Sequence, residues 1–217
     1  MKTFLGIGSG VGIGYATAER FAKEGFQIVL SARNAVKTRQ LGDRLEARRY
    51  KVDVRTVDSG DLTGVASLIT DVERDFGSID VLHYNAASMR KANITEQAQD
   101  TFIPDLAVNI GGALAAIQAV LKKMMERRSG TILLTGGGYS LAPNPGYLSL
   151  SIGKAGIRAL TLGLFESLQE KGVHIGTVTV TRDVAPDSKE SEAVADHFWK
   201  LHNQPTGSWT AEVKSPG

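Results

Sequence analysis

Hydrophobic residues in this chain gather into short runs separated by longer amphipathic stretches. The runs at 3–8, 27–32, 51–57, 79–84, 130–135 and 173–180 read as strands. The stretches near 12–25, 35–49, 61–76, 104–128, 150–171 and 189–202 carry apolar residues at helical spacing. Asp61 stands where it would cap the third helix, and Gly77 and Gly172 follow helix ends. Strict alternation of strand and helix predicts an α/β chain with a parallel sheet covered on both faces. Continuous apolar runs such as Ile132-Leu133-Leu134 fit strands buried on both sides. No linker, low-complexity segment or array-type repeat interrupts the pattern, so one domain over 1–217 suffices.

The first strand–helix junction carries the candidate chemistry. Phe4, Leu5 and Ile7 lead into glycines at 6, 8, 10, 12 and 14, and Ala16, Ala18, Phe21 and Ala22 then follow at helical spacing. Glycines permit a tight turn and a close approach of backbone N–H groups to phosphate, and a helix N-terminus adds partial positive charge. The unit of strand, turn, helix and strand is the context in which such a motif reads as a dinucleotide site. The expected fold is therefore a Rossmann-type doubly wound sheet in three layers. Gly8, Ser9, Gly10, Gly12, Ile13 and Gly14 are the candidate cofactor contacts.

The end of the second strand chooses between cofactors. A carboxylate there would bond the adenosine ribose 2′-hydroxyl, whereas an arginine accommodates a 2′-phosphate. The chain has Ser31, Ala32, Arg33 and Asn34, with no carboxylate from Gln27 until Asp43. Arg33 offers a planar fork to phosphate, and Ser31 and Asn34 offer further hydrogen bonds. NADP is preferred over NAD.

Composition narrows the classes. The formal net charge is +2, too balanced to argue for nucleic acid. There is no cysteine, hence no disulfide, thiolate metal site or cysteine nucleophile. The first apolar run is too short for a signal peptide, and no uninterrupted run approaches the ~18 apolar residues of a membrane span. The chain reads as cytoplasmic, with a small-molecule substrate and no nucleic-acid or membrane partner.

Several segments over about 1–185 resemble the short-chain dehydrogenase/reductase family. Gly8-x3-Gly12-Ile13-Gly14 is similar to its glycine-rich turn, with Ile7 where a threonine is usual. Asp58, followed by Ser59, matches its adenine-contacting aspartate. Tyr84-Asn85-Ala86-Ala87 resembles its Asn-Asn-Ala-Gly segment. Asn109 matches the asparagine of the catalytic tetrad, and Lys154 the lysine that ends the Tyr-x3-Lys motif. The resemblance implies that Asn85, Ala86, Ala87 and Lys154 meet the cofactor and that Val184 lies by the nicotinamide amide. It also makes 186–217 a short segment on the substrate side, where His197, Phe198, Trp199 and Leu201 would form an aromatic lid; the helical spacing of Val194, Phe198 and Leu201 favours core packing instead.

Two tetrad positions depart from that pattern. Leu150 stands four residues before Lys154, where the family has its tyrosine, and Gly137 stands where it has its serine. In the family the tyrosine moves the proton during hydride transfer and the serine positions the substrate oxygen. Tyr139 and Tyr147 are the candidate replacements, beside Asn109 and Lys154. Two functions follow: an NADPH-dependent oxidoreductase with a rearranged site, or a non-catalytic NADP(H)-binding sensor or regulator. His83 reads as a core histidine, and His174 and His202 as solvent-facing. Helices 104–128 and 150–171 are apolar around much of their circumference. With the family's four-helix contact in view, they imply a homodimer or homotetramer.

Overall fold

The computed structural model of the chain describes residues 1–215. Among them, seven parallel strands form one sheet in the order β3-β2-β1-β4-β5-β6-β7. They are β1 (Thr3–Ile7), β2 (Gln27–Ala32), β3 (Val52–Thr56), β4 (Val81–Tyr84), β5 (Thr131–Gly137), β6 (His174–Val180) and β7 (Glu212–Ser215). The helices are α1 (Ile13–Ala22), α2 (Ala35–Glu46), α3 (Leu62–Phe76), α4 (Gln99–Leu106), α5 (Gly112–Glu126), α6 (Leu148–Glu170) and α7 (Lys189–His202). The expected α/β doubly wound fold is the observed one.

Each face of the sheet has its own core. Leu5, Leu82, Ile132 and Ile175 point to the side covered by α3, α5 and α6, where they meet Val65, Ile69, Ile117, Val120 and Ile157. Phe4, Ile28, Val81 and Leu133 point to the other side and meet Phe21, Leu45, Val194 and Phe198 from α1, α2 and α7. The alternation along each strand is the period-2 pattern of a pleated sheet buried on both faces.

Four differences from the sequence reading have local causes. The helix expected from Pro104 begins at Gln99 and carries Pro104 inside it. A π-helical turn, Ala107–Gly111, then joins α4 to α5. β7 lacks an apolar run; it is an edge strand in which Val213 packs inward and Lys214 is exposed. Arg158 of α6 and Thr179 of β6 hold its Glu212. His174 is buried, stacked on Trp209 with ring centroids 4.9 Å apart. His202 is bonded to Thr131 Oγ1 at 2.9 Å, and burial pushes its pKa down to about 4.

The fourth difference concerns 186–217, of which Pro216 and Gly217 lie outside the described residues. The resemblance puts this segment on the substrate side, whereas the helical spacing of Val194, Phe198 and Leu201 predicts core packing. The described residues follow the spacing: α7 packs along α1 on the sheet face, with Val194, Ala195, Phe198 and Leu201 buried, and β7 extends the sheet. The β6–α7–β7 crossover runs across the sheet in the opposite direction from β1–α1–β2 yet lies on the same face, so the two have opposite hand. By length and composition Gln99–Glu126 and Leu148–Glu170 could each cross a membrane, which the count of uninterrupted apolar runs did not reveal. Both helical stretches lie in the layer that covers the sheet.

Core placement of α7 is testable. Phe198 is fully buried with its ring 4.6 Å from that of His83. Phe198→Ala should lower unfolding free energy by about 3–5 kcal/mol in a denaturant titration. A helix acting only as a lid over substrate would lose less than about 0.5 kcal/mol.

Candidate active site

The strand order reverses between β1 and β4, and in doubly wound sheets a crevice opens there at the carboxyl ends of the strands. Ile7, the last residue of β1, lies beside Ser31 of β2 and Tyr84 of β4. The glycine turn, the segment after β4 and the end of β5 therefore converge on one place.

The turn divides into residues that build it and residues that offer donors. Gly8 has φ +84°, and a Cβ there would collide with the Ala86 backbone. Asn85 fixes this approach: its Nδ2 donates to the Gly8 carbonyl at 2.8 Å and its N–H to Ile7 at 2.8 Å. The N–H groups of Gly8 and Ser9 are taken by the Ser31 carbonyl, and that of Gly10 by Gly8. The Ser9 hydroxyl donates to Gly6 and is buried. By contrast, the N–H groups of Val11, Gly12, Ile13 and Gly14 meet no acceptor among the described residues. α1 has no side-chain cap, and the space beside Gly10 and Gly12 is open. Four unanswered donors at a helix N-terminus suit an anion. Val11 was not among the expected contacts, because its side chain carries no signal and only its backbone is engaged.

At the end of β2 the expected trio separates. Ser31 is buried and its hydroxyl donates to Gly6 at 2.8 Å, so it does not face outward. Asn34 Oδ1 accepts from Lys37 N–H at 2.9 Å and caps α2. Ser31 corrects the reading of its hydroxyl as a phosphate donor, whereas Asn34 is exposed and caps α2 with Oδ1 alone, so its Nδ2 still faces no acceptor among the described residues. Arg33 is exposed and makes no hydrogen bond or ion pair with a described residue, whereas Arg39 is committed to Asp43 and Glu46. Asp58 is exposed after β3, with Oδ1 accepting from Gly60 N–H at 2.9 Å, and Ser59 behind it is buried.

Across the crevice, the π-helical turn carries Asn109, whose Oδ1 accepts from Ser88 N–H at 2.7 Å. Lys154 projects from α6 and its Nζ donates to the Thr135 carbonyl at 2.7 Å. Burial of the ammonium pushes its pKa down to about 8. The Lys154 stem occupies the space above Gly137, where a Cβ would lie 3.2 Å from its Cγ and Cδ. His83 is the expected core histidine: it is bonded to Thr135 Oγ1 at 3.0 Å, and burial pushes its pKa down to about 3. Leu150, one turn before Lys154, is buried. Tyr147 lies just ahead of α6, where Pro145-Gly146 interrupts the chain, and stacks on Tyr139 with ring centroids 5.7 Å apart.

Sequence reading missed a buried carboxylate beside Asn109. Asp105 accepts from Ser88 Oγ at 2.6 Å, Arg90 Nε at 2.7 Å, Gln97 Nε2 at 3.1 Å and Ser149 Oγ at 2.9 Å. Burial alone would raise its pKa; the bonds from Arg90, Ser88 and Ser149 carry it below the usual carboxylate range. The available signal was its place one helical turn before Asn109. After β6, Val184 packs partly buried against the α1 side of the core, and an Arg44–Asp187 pair at 2.7 Å holds its loop toward α2.

The family model for short chain dehydrogenases matches residues 2–190. An uncharacterized oxidoreductase of Staphylococcus saprophyticus subsp. saprophyticus is 29% identical over 181 residues, which covers 82% of this chain and 76% of that protein. The crystal structure of a short-chain dehydrogenase from Rhodopseudomonas palustris is similar with a TM-score of 0.89 at 24% identity, over 98% of this chain and 97% of that one. A metagenomic short-chain oxidoreductase in complex with NADP is similar with a TM-score of 0.88 at 22% identity, over 98% and 96%. At these identities the solved structures establish likeness of fold. With the family model spanning most of its sequence, this chain belongs to the short-chain dehydrogenase family.

Proposed function

We propose that this chain is an NADP(H)-binding oxidoreductase with a degenerate catalytic tetrad, acting on a small carbonyl or related substrate. The observation that carries the proposal is the set of four unanswered N–H groups at Val11, Gly12, Ile13 and Gly14. They form a cradle for a pyrophosphate, seated on a turn that Gly8 and Asn85 hold rigid. Arg33 is free to take a 2′-phosphate. In this reading Asp58 and Ser59 take the adenine side, and Ala86, Ala87, Lys154 and the Val184 backbone the nicotinamide side. NADPH supplies a hydride when bound.

On the reaction side, Leu150 and Gly137 occupy the positions of the family's tyrosine and serine. Leu150 has no proton to give, and a positioned acid contributes about 10²–10⁴-fold in rate. Tyr139 and Tyr147 are the phenols left on that wall. Asn109 braces the segment after β4 through Ser88, and Lys154 holds a charge near the ribose position. The lack of a proton donor at 150 also favours a second reading, a non-catalytic NADP(H)-binding sensor or regulator.

The outer faces of α4 to α6 expose Ile103, Leu114, Met125, Ile152 and Leu162. A shallow apolar groove beside them is lined by Ile110, Gly156, Ala159, Leu160, Gly163 and Leu164. A second copy of the chain would cover this surface in a homodimer or homotetramer.

Fluorescence titration should give a clear preference for NADPH over NADH, and Arg33→Ala should remove it; equal affinities in the parent protein would refute the assignment to NADP. In a screen of carbonyls, quinones and enones, Leu150→Tyr combined with Gly137→Ser should raise NADPH oxidation by about 10²-fold or more. Turnover in the parent protein on the order of 1–10³ s⁻¹ would dismiss the sensor reading. Light scattering should report a dimer or tetramer, and Gly163→Arg should shift the mass toward a monomer.

A further inference from the structure

We infer that the crevice selects carbonyl compounds that carry an aromatic ring, and that Tyr139 and Tyr147 form the wall on which that ring stacks. This rests on the oxidoreductase reading and adds the class of substrate. The chain between Gly137, at the end of β5, and Leu150, one turn before Lys154 on α6, contains both tyrosines. Their rings are inclined by 29° with centroids 5.7 Å apart, and each residue is half-buried. The pair is therefore anchored and still has surface to offer.

Asn144 holds the wall in place. Its Oδ1 accepts from Gly146 N–H at 2.8 Å, its carbonyl accepts from Tyr147 N–H at 3.0 Å, and its Nδ2 donates to the Tyr139 hydroxyl at 3.4 Å. Ser151 Oγ accepts from its N–H at 3.0 Å. From the other side, Ala92 N–H donates to Gly146 at 2.9 Å and Ala92 pairs with Tyr147. The backbone of the wall is thus set by hydrogen bonds within the chain and its rings by their mutual stacking, before any substrate arrives, which lowers the ordering cost of binding.

The surroundings favour an apolar ring. Leu150 is buried and Gly137 has no side chain, so neither adds a polar group, and the buried polar atom on this segment left without a partner among the described residues is Ser140 Oγ. Met89, Ile94 and Leu141 are exposed on the two segments that meet at Ala92 and Tyr147. Arg90, on the first of these, is committed to Asp105 and is not available to an anionic substrate. A saturated ring would gain the same burial of apolar area as an aromatic one. Only the aromatic ring gains the face and edge attraction of two tyrosines, which is worth a few-fold in affinity for each good pair.

The test uses protein saturated with oxidised NADP, so that a ketone binds without being reduced. Acetophenone and cyclohexyl methyl ketone are titrated in parallel by saturation-transfer NMR. Acetophenone should bind about threefold to tenfold more tightly. Tyr147→Leu and Tyr139→Leu should each reduce that ratio, and Tyr147→Phe, which keeps the ring and removes the hydroxyl, should retain it. Equal affinities in the parent protein, or a ratio unchanged in both leucine variants, would overturn the inference. The same titrations without NADP separate the two readings. A ring preference in a protein that binds no dinucleotide sinks the cofactor proposal alone; dinucleotide binding without ring preference sinks the aromatic wall alone.

Discussion

The crevice depends on how tightly the turn after β1 presses on the end of β4. At Gly8 the backbone is left-handed and in contact with the Ala86 backbone, so neither the conformation nor the space admits a side chain. Asn85 ties the two segments with one side-chain and one backbone hydrogen bond. With the chain pinned there, the only exit is a sharp rise into α1, and no side chain caps that helix. The N–H groups of residues 11–14 are left for solvent or an anion. A donor left unpaired costs about 1–3 kcal/mol when buried, so an anion that meets several at once gains affinity without rearranging the protein.

The reaction side is organised by different interactions. Taking a carboxylate out of water costs several kcal/mol unless its oxygens are fully occupied. Asp105 meets that condition with donors from Ser88, Arg90, Gln97 and Ser149, which come from the loop after β4 and from the first turn of α6. These are the segments that flank Asn109 and Leu150. Lys154 adds a second constraint, because its stem fills the space above Gly137 while its ammonium rests on Thr135. A serine at 137 would ask that flexible stem to give by a few tenths of an ångström, so the small residue and the position of the lysine are linked.

Legibility followed the range of the interactions involved. The doubly wound sheet was readable because apolar period and length are local properties, and both cores use the residues that the pattern marks, such as Leu82, Ile132 and Phe198. The glycine turn was readable because left-handed backbone and close approach demand one residue type. β7 was not, because Glu212 to Ser215 carry no apolar run and are held by Arg158 and Thr179 from distant segments. Ser31 was misassigned for a related reason: a hydroxyl next to a candidate site looks the same in sequence whether it faces a ligand or its own backbone. The Asp105 cluster joins residues from 88 to 149, and no single window contains it.

The two halves of the crevice meet on α6. Lys154 reaches from this helix to the Thr135 carbonyl on β5, and Leu150, one turn earlier, is buried. Neither the cradle at residues 11–14 nor Arg33 touches the segment 138–150 through a hydrogen bond, so substitutions on the reaction side leave the dinucleotide cradle intact. The phenols of Tyr139 and Tyr147 come from a loop fixed by Asn144, whereas a residue at 150 would come from a helix. The loop tyrosines therefore take their position from hydrogen bonds of the segment itself, rather than from the helix register that carries Leu150 and Lys154.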